Sequence, residues 1–148
     1  MTIIIGSEFG YCVLAAIGIA LQCSFTGHAV MNARKKFKVD YPDNGSGRYA
    51  AKLTEEDWLR FNNIKRVNDN YTEQLSTVLT TLLLAGLYMP CAAAALGVSY
   101  MVGRYIYGHG YIAGGAKART PGAILMGLSS LSMMGIAGYN AVMTTILA

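Results

Sequence analysis

The sequence predicts an all-α integral membrane protein, an antiparallel four-helix bundle, and long stretches without charge are the first observation behind this prediction. Charged residues make up 14% of the 148 residues and hydrophobic residues 53%, whereas a soluble domain carries about 25% charge. Residues 9–33 and 120–148 contain no charged side chain, and residues 74–116 contain only Arg104. Because a bilayer core takes roughly 20 apolar residues per helix, these stretches predict membrane spans.

A proline break and the distribution of basic residues complete the predicted topology. The middle stretch divides at Met89-Pro90, because proline disfavours a helical conformation in the residue before it. One domain over residues 1–148 follows, with spans at about 8–33, 58–89, 91–113 and 120–146 and a loop at about 34–57. Short connections make successive helices antiparallel. Nine of the twelve Lys and Arg residues lie between Arg34 and Arg66, and since cytoplasmic loops collect such residues, this loop is predicted to face the cytosol. No motif that reads nucleic acid accompanies it, so we expect no nucleic-acid partner.

The second predicted span carries polar side chains on one helical face. In the run FNNIKRVNDNYTEQL, the residues Asn63, Arg66, Asn70 and Glu73 follow the three-four spacing that stacks side chains along one face. A polar stripe of this kind must be hidden from lipid, because ionised groups in hydrocarbon are costly.

The third predicted span carries a matching stripe. Tyr100, Arg104, Tyr107 and Tyr111 recur at spacings of four, three and four. Counting about 1.5 Å per residue from the Met89-Pro90 turn places both Glu73 and Tyr107 roughly 24 Å along their helices, so the two stripes are predicted to meet. Arg104 needs an inward direction and an acceptor, and Glu73 is the predicted acceptor.

These stripes predict a binding site for an anion on the cytosolic side. The two stripes and the adjoining loops hold more Lys and Arg side chains than Asp and Glu side chains that could pair with them. This excess of positive charge favours an anionic ligand. Glutathione has two carboxylates for Arg, an ammonium for Glu and a thiol that a nearby cation favours as thiolate. The alternative, that these groups only join helices through interhelical hydrogen bonds of about 0.6 kcal/mol each, stays open.

Three segments also carry a resemblance to a known family. ARKKFKVDYP, FNNIKRVNDNYTEQL and VGRYIYGHGYIAGGAKAR resemble the membrane-associated proteins in eicosanoid and glutathione metabolism (MAPEG), over about residues 8–140. The resemblance implies a homotrimer of four-helix subunits that holds glutathione, as co-substrate, between neighbouring subunits. It implies that Arg34 and Arg66 bind carboxylates and that Glu73 takes the glutamyl ammonium. The remaining implied ligands are Asn68, Asn70, Tyr107 and Tyr111, and the implied thiolate-stabilising, catalytic cation is Lys117 or Arg119.

Two functions of different classes follow. The first is a membrane glutathione transferase or peroxidase that directs the thiolate at lipophilic electrophiles or lipid hydroperoxides, in the endoplasmic reticulum or alternatively a mitochondrial membrane. The second is a non-catalytic accessory subunit or lipid-binding scaffold of a larger membrane complex. It is favoured by Gln74-Leu75, because family members commonly have an aromatic residue and proline there. The three cysteines and two histidines lack metal-ligand spacing, so we expect no metal.

Overall fold

The computed structural model describes residues 5–146 and is all-helical there, which confirms the all-α, four-helix part of the predicted fold class. The helices are α1 (Phe9–Phe37), α2 (Glu55–Gly86), α3 (Pro90–Ala118) and α4 (Thr120–Ile146). A short 3-10 helix, Ala50–Lys52, lies in the connection between α1 and α2. The ends of the predicted domain, residues 1–4 and 147–148, lie outside the described residues.

Helix α1 continues one turn beyond the predicted boundary at residue 33. It ends where Lys38 adopts a left-handed conformation with φ 55°, which breaks the helical run. The backbone N–H of Lys38 and that of Val39, at 3.1 Å, then donate to the carbonyl of Arg34. Arg34 was predicted to begin a loop, and it lies instead in the last helical turn, where its cation opposes the negative end of the helix dipole.

Helix α2 begins three residues before the predicted position because Thr54 caps it. The Thr54 hydroxyl accepts the backbone N–H of Asp57 at 3.2 Å, and three acidic residues occupy the first turn, where the helix dipole favours negative charge. The helix ends at Gly86. Pro90 then occupies the first turn of α3, where a missing N–H costs nothing.

Helices α3 and α4 pack closely because glycines face each other. A Cβ placed on Gly122 would lie 2.2 Å from the backbone nitrogen of Tyr107 and 2.6 Å from the carbonyl oxygen of Gly103. The turn before α4 depends on Gly115, whose φ of 71° and ψ of −160° interrupt α3. This left-handed φ costs a residue with a side chain more than it costs glycine.

The interior is built from all four helices around a mostly apolar core. Its largest fully buried members are aromatic and aliphatic side chains: Ile19 of α1, Tyr71, Val78 and Leu82 of α2, Tyr100 of α3 and Met133 of α4. A second, smaller cluster joins the C-terminal end of α1 and the following loop to α2 through Phe37, Val39 and Phe61. The predicted loop is therefore partly core.

Two of the helices are long and apolar enough to cross a membrane by length and composition, namely α1 and α4. Helix α2 has a polar first half, from Glu55 to Asp69, and α3 carries a buried Arg104 with several tyrosines and glycines. That α2 and α3 also cross the bilayer stays a prediction.

Candidate functional site

The stripes of α2 and α3 meet at Arg104, which is 4% exposed. Its Nε donates to the hydroxyl oxygen of Tyr100 at 2.8 Å. Its Nη1 donates to Oδ1 of Asn70 at 2.7 Å, and its Nη2 to the backbone carbonyl of Asn70 at 3.3 Å. The prediction that Glu73 accepts from Arg104 is wrong, because Asn70, about one helical turn before Glu73, takes that role.

Aromatic rings enclose the same guanidinium. Its central carbon lies 4.4 Å from the ring centroid of Tyr71, 5.2 Å from that of Tyr100 and 5.8 Å from that of Tyr107, distances at which a cation is attracted to a ring face. No carboxylate among residues 5–146 forms an ion pair with Arg104. The site therefore keeps a full positive charge in its interior, held by neutral groups.

Tyr71 is a member of this site that sequence reasoning missed. It is 1% exposed, and its hydroxyl donates to Oε1 of Gln22 at 2.8 Å, which ties α2 to α1. Gln22 in turn donates to the carbonyl of Met101 at 3.0 Å. The sequence did contain a signal for Tyr71. It is an aromatic residue next to Asn70 within a polar run, and such a residue is suited to packing against Arg104 on the facing helix.

Arg66 and Glu73 lie on the open face of α2 and bind each other. The Nη1 of Arg66 lies 3.0 Å from Oε1 of Glu73, two helical turns away, and the two side chains are 46% and 52% exposed. The predicted common face is thus present. Exposed pairs of this kind contribute only about 0–1 kcal/mol, so a ligand that offers both a carboxylate and an ammonium can replace each partner.

Tyr107 and Tyr111 of α3 lie next to Arg119. Its Nη1 donates to the hydroxyl of Tyr107 at 3.2 Å, and its guanidinium carbon lies 5.3 Å from the ring centroid of Tyr111. The two rings are 5.8 Å apart between centroids. Lys117 is exposed and forms no side-chain hydrogen bond or ion pair within the part of the chain that the structure describes. Of the two predicted cations, Arg119 is the one beside the tyrosines.

The approach of Arg119 depends on a glycine in α3. A Cβ on Gly110 would lie 2.3 Å from the carbonyl oxygen of Ala118, a distance no side chain tolerates. The chain after Gly115 folds back over this bare position, which brings Arg119 within reach of Tyr107, twelve residues earlier. The glycine-rich run is a packing device, as its position at the end of a helix suggests.

Arg34 and Asn68 lie on the opposite side of α2 from Arg66. Asn68 accepts the hydroxyl of Thr26 in α1 at 3.0 Å. Arg34 is 9% exposed, and its Nη1 donates to the carbonyls of Val39 at 3.1 Å and Asp43 at 2.7 Å. A cavity of about 410 Å³ adjoins both side chains, and its other polar lining residues are Ser24, His28, Tyr41, Asn44, Lys65 and Asp69.

The loop that holds Arg34 is organised by the carboxylate of Asp43. This carboxylate accepts four backbone N–H groups at 2.8 to 2.9 Å, those of Gly45, Gly47, Tyr49 and Ala50. These bonds, the one from Ala50 above all, lower the pKa of Asp43 to about 2. The predicted loop is therefore folded around a buried acid.

The predicted ligands thus form separate groups within one chain. Asn68 points toward α1, Asn70 contacts Arg104 of α3, and Arg66 with Glu73 lies on the open face between these directions. The geometry follows from the 100° turn per helical residue, which puts positions two apart on nearly opposite faces. The structure brings together Asn70, Arg104 and Tyr107, and it brings Arg119 to Tyr107 and Tyr111.

The described residues contain no group of three or more His, Cys, Asp or Glu side chains that could hold a metal ion. Cys12 and Cys23 are buried free thiols and Cys91 is an exposed one. The chemistry available at the site is therefore that of Arg, Tyr, Asn and Glu: recognition of carboxylates and ammonium groups and stabilisation of an anion.

Comparison with models of protein families gives one finding for this chain. Residues 12–139 match the model described as the MAPEG family, which covers all four helices except the first turn of α1 and the last turns of α4.

Proposed function

The chain belongs to the MAPEG family of membrane proteins, and we propose that it is a membrane glutathione transferase or glutathione peroxidase. Family membership indicates a function in glutathione or eicosanoid metabolism. Within the family we propose microsomal glutathione transferase 3 as the nearest type. Two contacts carry the proposal: the hydrogen bond from Arg119 to the hydroxyl of Tyr107, and the exposed, exchangeable pair of Arg66 and Glu73.

The proposed binding mode uses the charges of the open face. The glutamyl end of glutathione carries one carboxylate and one ammonium on the same carbon, and Arg66 with Glu73 offers the complementary pair. A bidentate hydrogen bond from Arg66 to the ligand carboxylate is expected to be stronger than the exposed contact between Arg66 and Glu73. Arg104, buried and without a carboxylate partner among the described residues, adds positive potential behind Asn70.

The proposed chemistry places the thiol near Arg119. A cation close to a thiol favours the thiolate, which is the nucleophile. The thiolate forms a C–S bond with an electrophilic carbon of a lipophilic substrate, which either expels a leaving group as an anion or, in an addition, takes up a proton. With a lipid hydroperoxide, the thiolate attacks the terminal oxygen and the O–O bond breaks, which gives the lipid alcohol after protonation and glutathione sulfenic acid. A second glutathione then attacks the sulfenic sulfur, which gives glutathione disulfide and water. Either co-substrate reaches the site through the bilayer.

The proposed assembly is a homotrimer, and it is supported by the separation of the ligand groups. Arg34 and Asn68 lie on one side of α2, and Arg66 and Glu73 on the other. A single ligand contacts both groups only if it lies between two subunits. We propose that all four helices cross the membrane of the endoplasmic reticulum, with a mitochondrial membrane as the alternative.

A thiolate titration tests the catalytic proposal. Addition of glutathione to the purified trimer near neutral pH is expected to raise the ultraviolet absorbance of thiolate. Arg119→Ala is expected to abolish that signal and to lower the transferase rate by about a hundredfold or more, the usual cost of removing one group that stabilises a developing anion. Lys117→Ala is the matched control, because it removes an exposed cation two residues away and should leave both readouts unchanged.

A non-catalytic accessory subunit is the second candidate, and Gln74-Leu75 favours it. Gln74 is exposed on α2 and Leu75 packs against the core, so neither supplies an aromatic wall beside Glu73. A native gel of gently solubilised membranes separates the candidates. A free trimer with a thiolate signal supports the enzyme, whereas stable migration within a larger assembly and no signal supports the accessory subunit.

A further inference from the structure

A groove between α1, α2 and α3 opens on the side of the bundle away from Arg66 and Glu73. Its lower part is a cavity of about 300 Å³ with predominantly apolar walls, including Phe25 of α1, Val67 of α2 and Gly108 of α3. Arg104 lies at its base, but the guanidinium donates to Asn70 and Tyr100, away from the groove. The lower part therefore suits a hydrocarbon rather than an acid.

The upper part of the groove is a second cavity, of about 500 Å³, that continues the first toward the loop end of the bundle. Ala29, Ile64 and Ile112 line both cavities, so the two form one channel. Along α2 the channel extends from Tyr71 to Arg60, eleven residues or about 16 Å. That length equals about half of a bilayer core of about 30 Å, the depth of one leaflet.

Two cations stand at the upper rim, Lys36 from the last turn of α1 and Arg60 from α2. No Asp or Glu lines either cavity. Lys36 forms no ion pair within residues 5–146. In the same range Arg60 forms an ion pair only with Glu56, and the two side chains are 58% and 73% exposed. Because such an exposed pair is weak, a phosphate can displace Glu56 from Arg60.

We propose that this groove is a binding site for an anionic phospholipid of the leaflet on the loop side. One acyl chain lies in the apolar channel, and the phosphate and acidic headgroup lie between Lys36 and Arg60. The charge at the rim selects the headgroup, since each Lys or Arg near a membrane surface attracts an anionic lipid by about fivefold, or about 1 kcal/mol. This site is separate from the proposed glutathione site and does not depend on it.

Spin-labelled lipids in reconstituted membranes test the headgroup. The full-length protein is placed in phosphatidylcholine bilayers with a trace of spin-labelled phosphatidylserine or spin-labelled phosphatidylcholine, and the motionally restricted fraction is measured. We expect stronger association of phosphatidylserine, and a loss of about fivefold for Lys36→Ala or Arg60→Ala. Lys35→Ala, an exposed neighbour outside the groove, is the matched control and should change nothing.

A second variant tests the channel itself. Ala29 is exposed and lines both cavities, so Ala29→Trp fills their junction and is expected to abolish the restricted lipid. Ala141→Trp, on an exposed position of α4, is the control for a bulky residue facing lipid. Equal association of the two lipids in the wild type would overturn the proposed headgroup selection. Unchanged lipid restriction in Ala29→Trp would overturn the proposed channel.

Discussion

Helices α4 and α2 present opposite kinds of surface to their surroundings. On α4 most exposed side chains are apolar, with Ile124, Leu128 and Leu131 exposed by 58%, 60% and 66%. On the second half of α2 most exposed side chains are polar: Thr72, Glu73, Gln74, Ser76, Thr77 and Thr80. Lipid solvates the first surface without cost and the second only at a cost.

The difference predicts which surfaces face lipid and which face protein. Hydropathy identifies α1 and α4 as the apolar helices, whereas α2 and α3 carry the candidate site. The two helices that hydropathy does not identify as membrane spans are thus the ones that carry the candidate site. A polar face on α2 is expected to lie against a second copy of the chain, and the following experiments test that contrast.

The largest expected effect is all-or-none crosslinking. In a Cys91→Ser background, Thr77→Cys on the polar face of α2 should give a covalent oligomer with a short thiol-reactive crosslinker in membranes. Leu128→Cys on the apolar face of α4 should give monomer only, because lipid surrounds it. Equal crosslinking from both positions would remove the distinction between the two faces.

Buried and exposed cations should differ by several kcal/mol. Arg104→Met leaves the two Asn70 carbonyls and the Tyr100 hydroxyl without their donor, and we expect a destabilisation of about 3–5 kcal/mol, because each buried acceptor left unsatisfied costs about 1–3 kcal/mol. Arg66→Met breaks an exposed pair and should cost less than about 1 kcal/mol. Reversible unfolding in mixed micelles measures both, and similar costs would contradict the assigned burial.

The inner face of α4 should tolerate less change than its lipid face. Gly122→Ala places a methyl group against the backbone of α3 and should destabilise the bundle by about 1–3 kcal/mol through overpacking. Gly127→Ala meets nothing within 4 Å and should stabilise it by about 0.5–1 kcal/mol through better helix propensity. Unfolding in mixed micelles measures both changes in stability. A destabilising Gly127→Ala would show that the face of α4 that carries Gly127 is also packed against protein.

The smallest effect concerns the loop outside the membrane and depends on pH. The folded-state pKa of Asp43, about 2, lies below its ordinary value of 3.8. Its carboxylate therefore stabilises the loop above pH 3.8, and this contribution is lost as the pH falls through 2. Asp43→Asn should make the amides of Gly45 and Ala50 exchange faster at neutral pH, with a difference from wild type that shrinks below pH 3.8. Exposed Asp40→Asn is the control and should leave that exchange unchanged.

The sequence was sufficient for the helical class and for the meeting of two polar stripes. Proline at position 90 and charge-free runs predict the helices, and the constant rise per residue brings the polar stripes of α2 and α3 to overlapping heights. The acceptor of Arg104 was misassigned because height does not fix direction. Glu73 stands about 60° around the helix from Asn70, enough to turn it from α3 to the open face.

Contacts that depend on loop geometry could not be read from spacing. Arg34 is enclosed by carbonyls of a loop whose path is set by Asp43. The run Asp43-Asn44-Gly45 has the composition of a turn in which a carboxylate binds nearby backbone N–H groups, and that signal could have predicted a folded connection. Likewise, the choice between Lys117 and Arg119 rests on the reversal at Gly115, which the sequence alone leaves undetermined.

The fold of the first loop affects how the orientation of the protein can be mapped. Arg48 and Lys52 are exposed trypsin targets, yet the amides around Arg48 are held by Asp43, and a protease must pull its substrate into an extended strand. We expect digestion of sealed vesicles to spare this segment whichever way it faces, so that resistance there is no proof of a lumenal location. Reporter tags for orientation belong at sites where the backbone is free to yield.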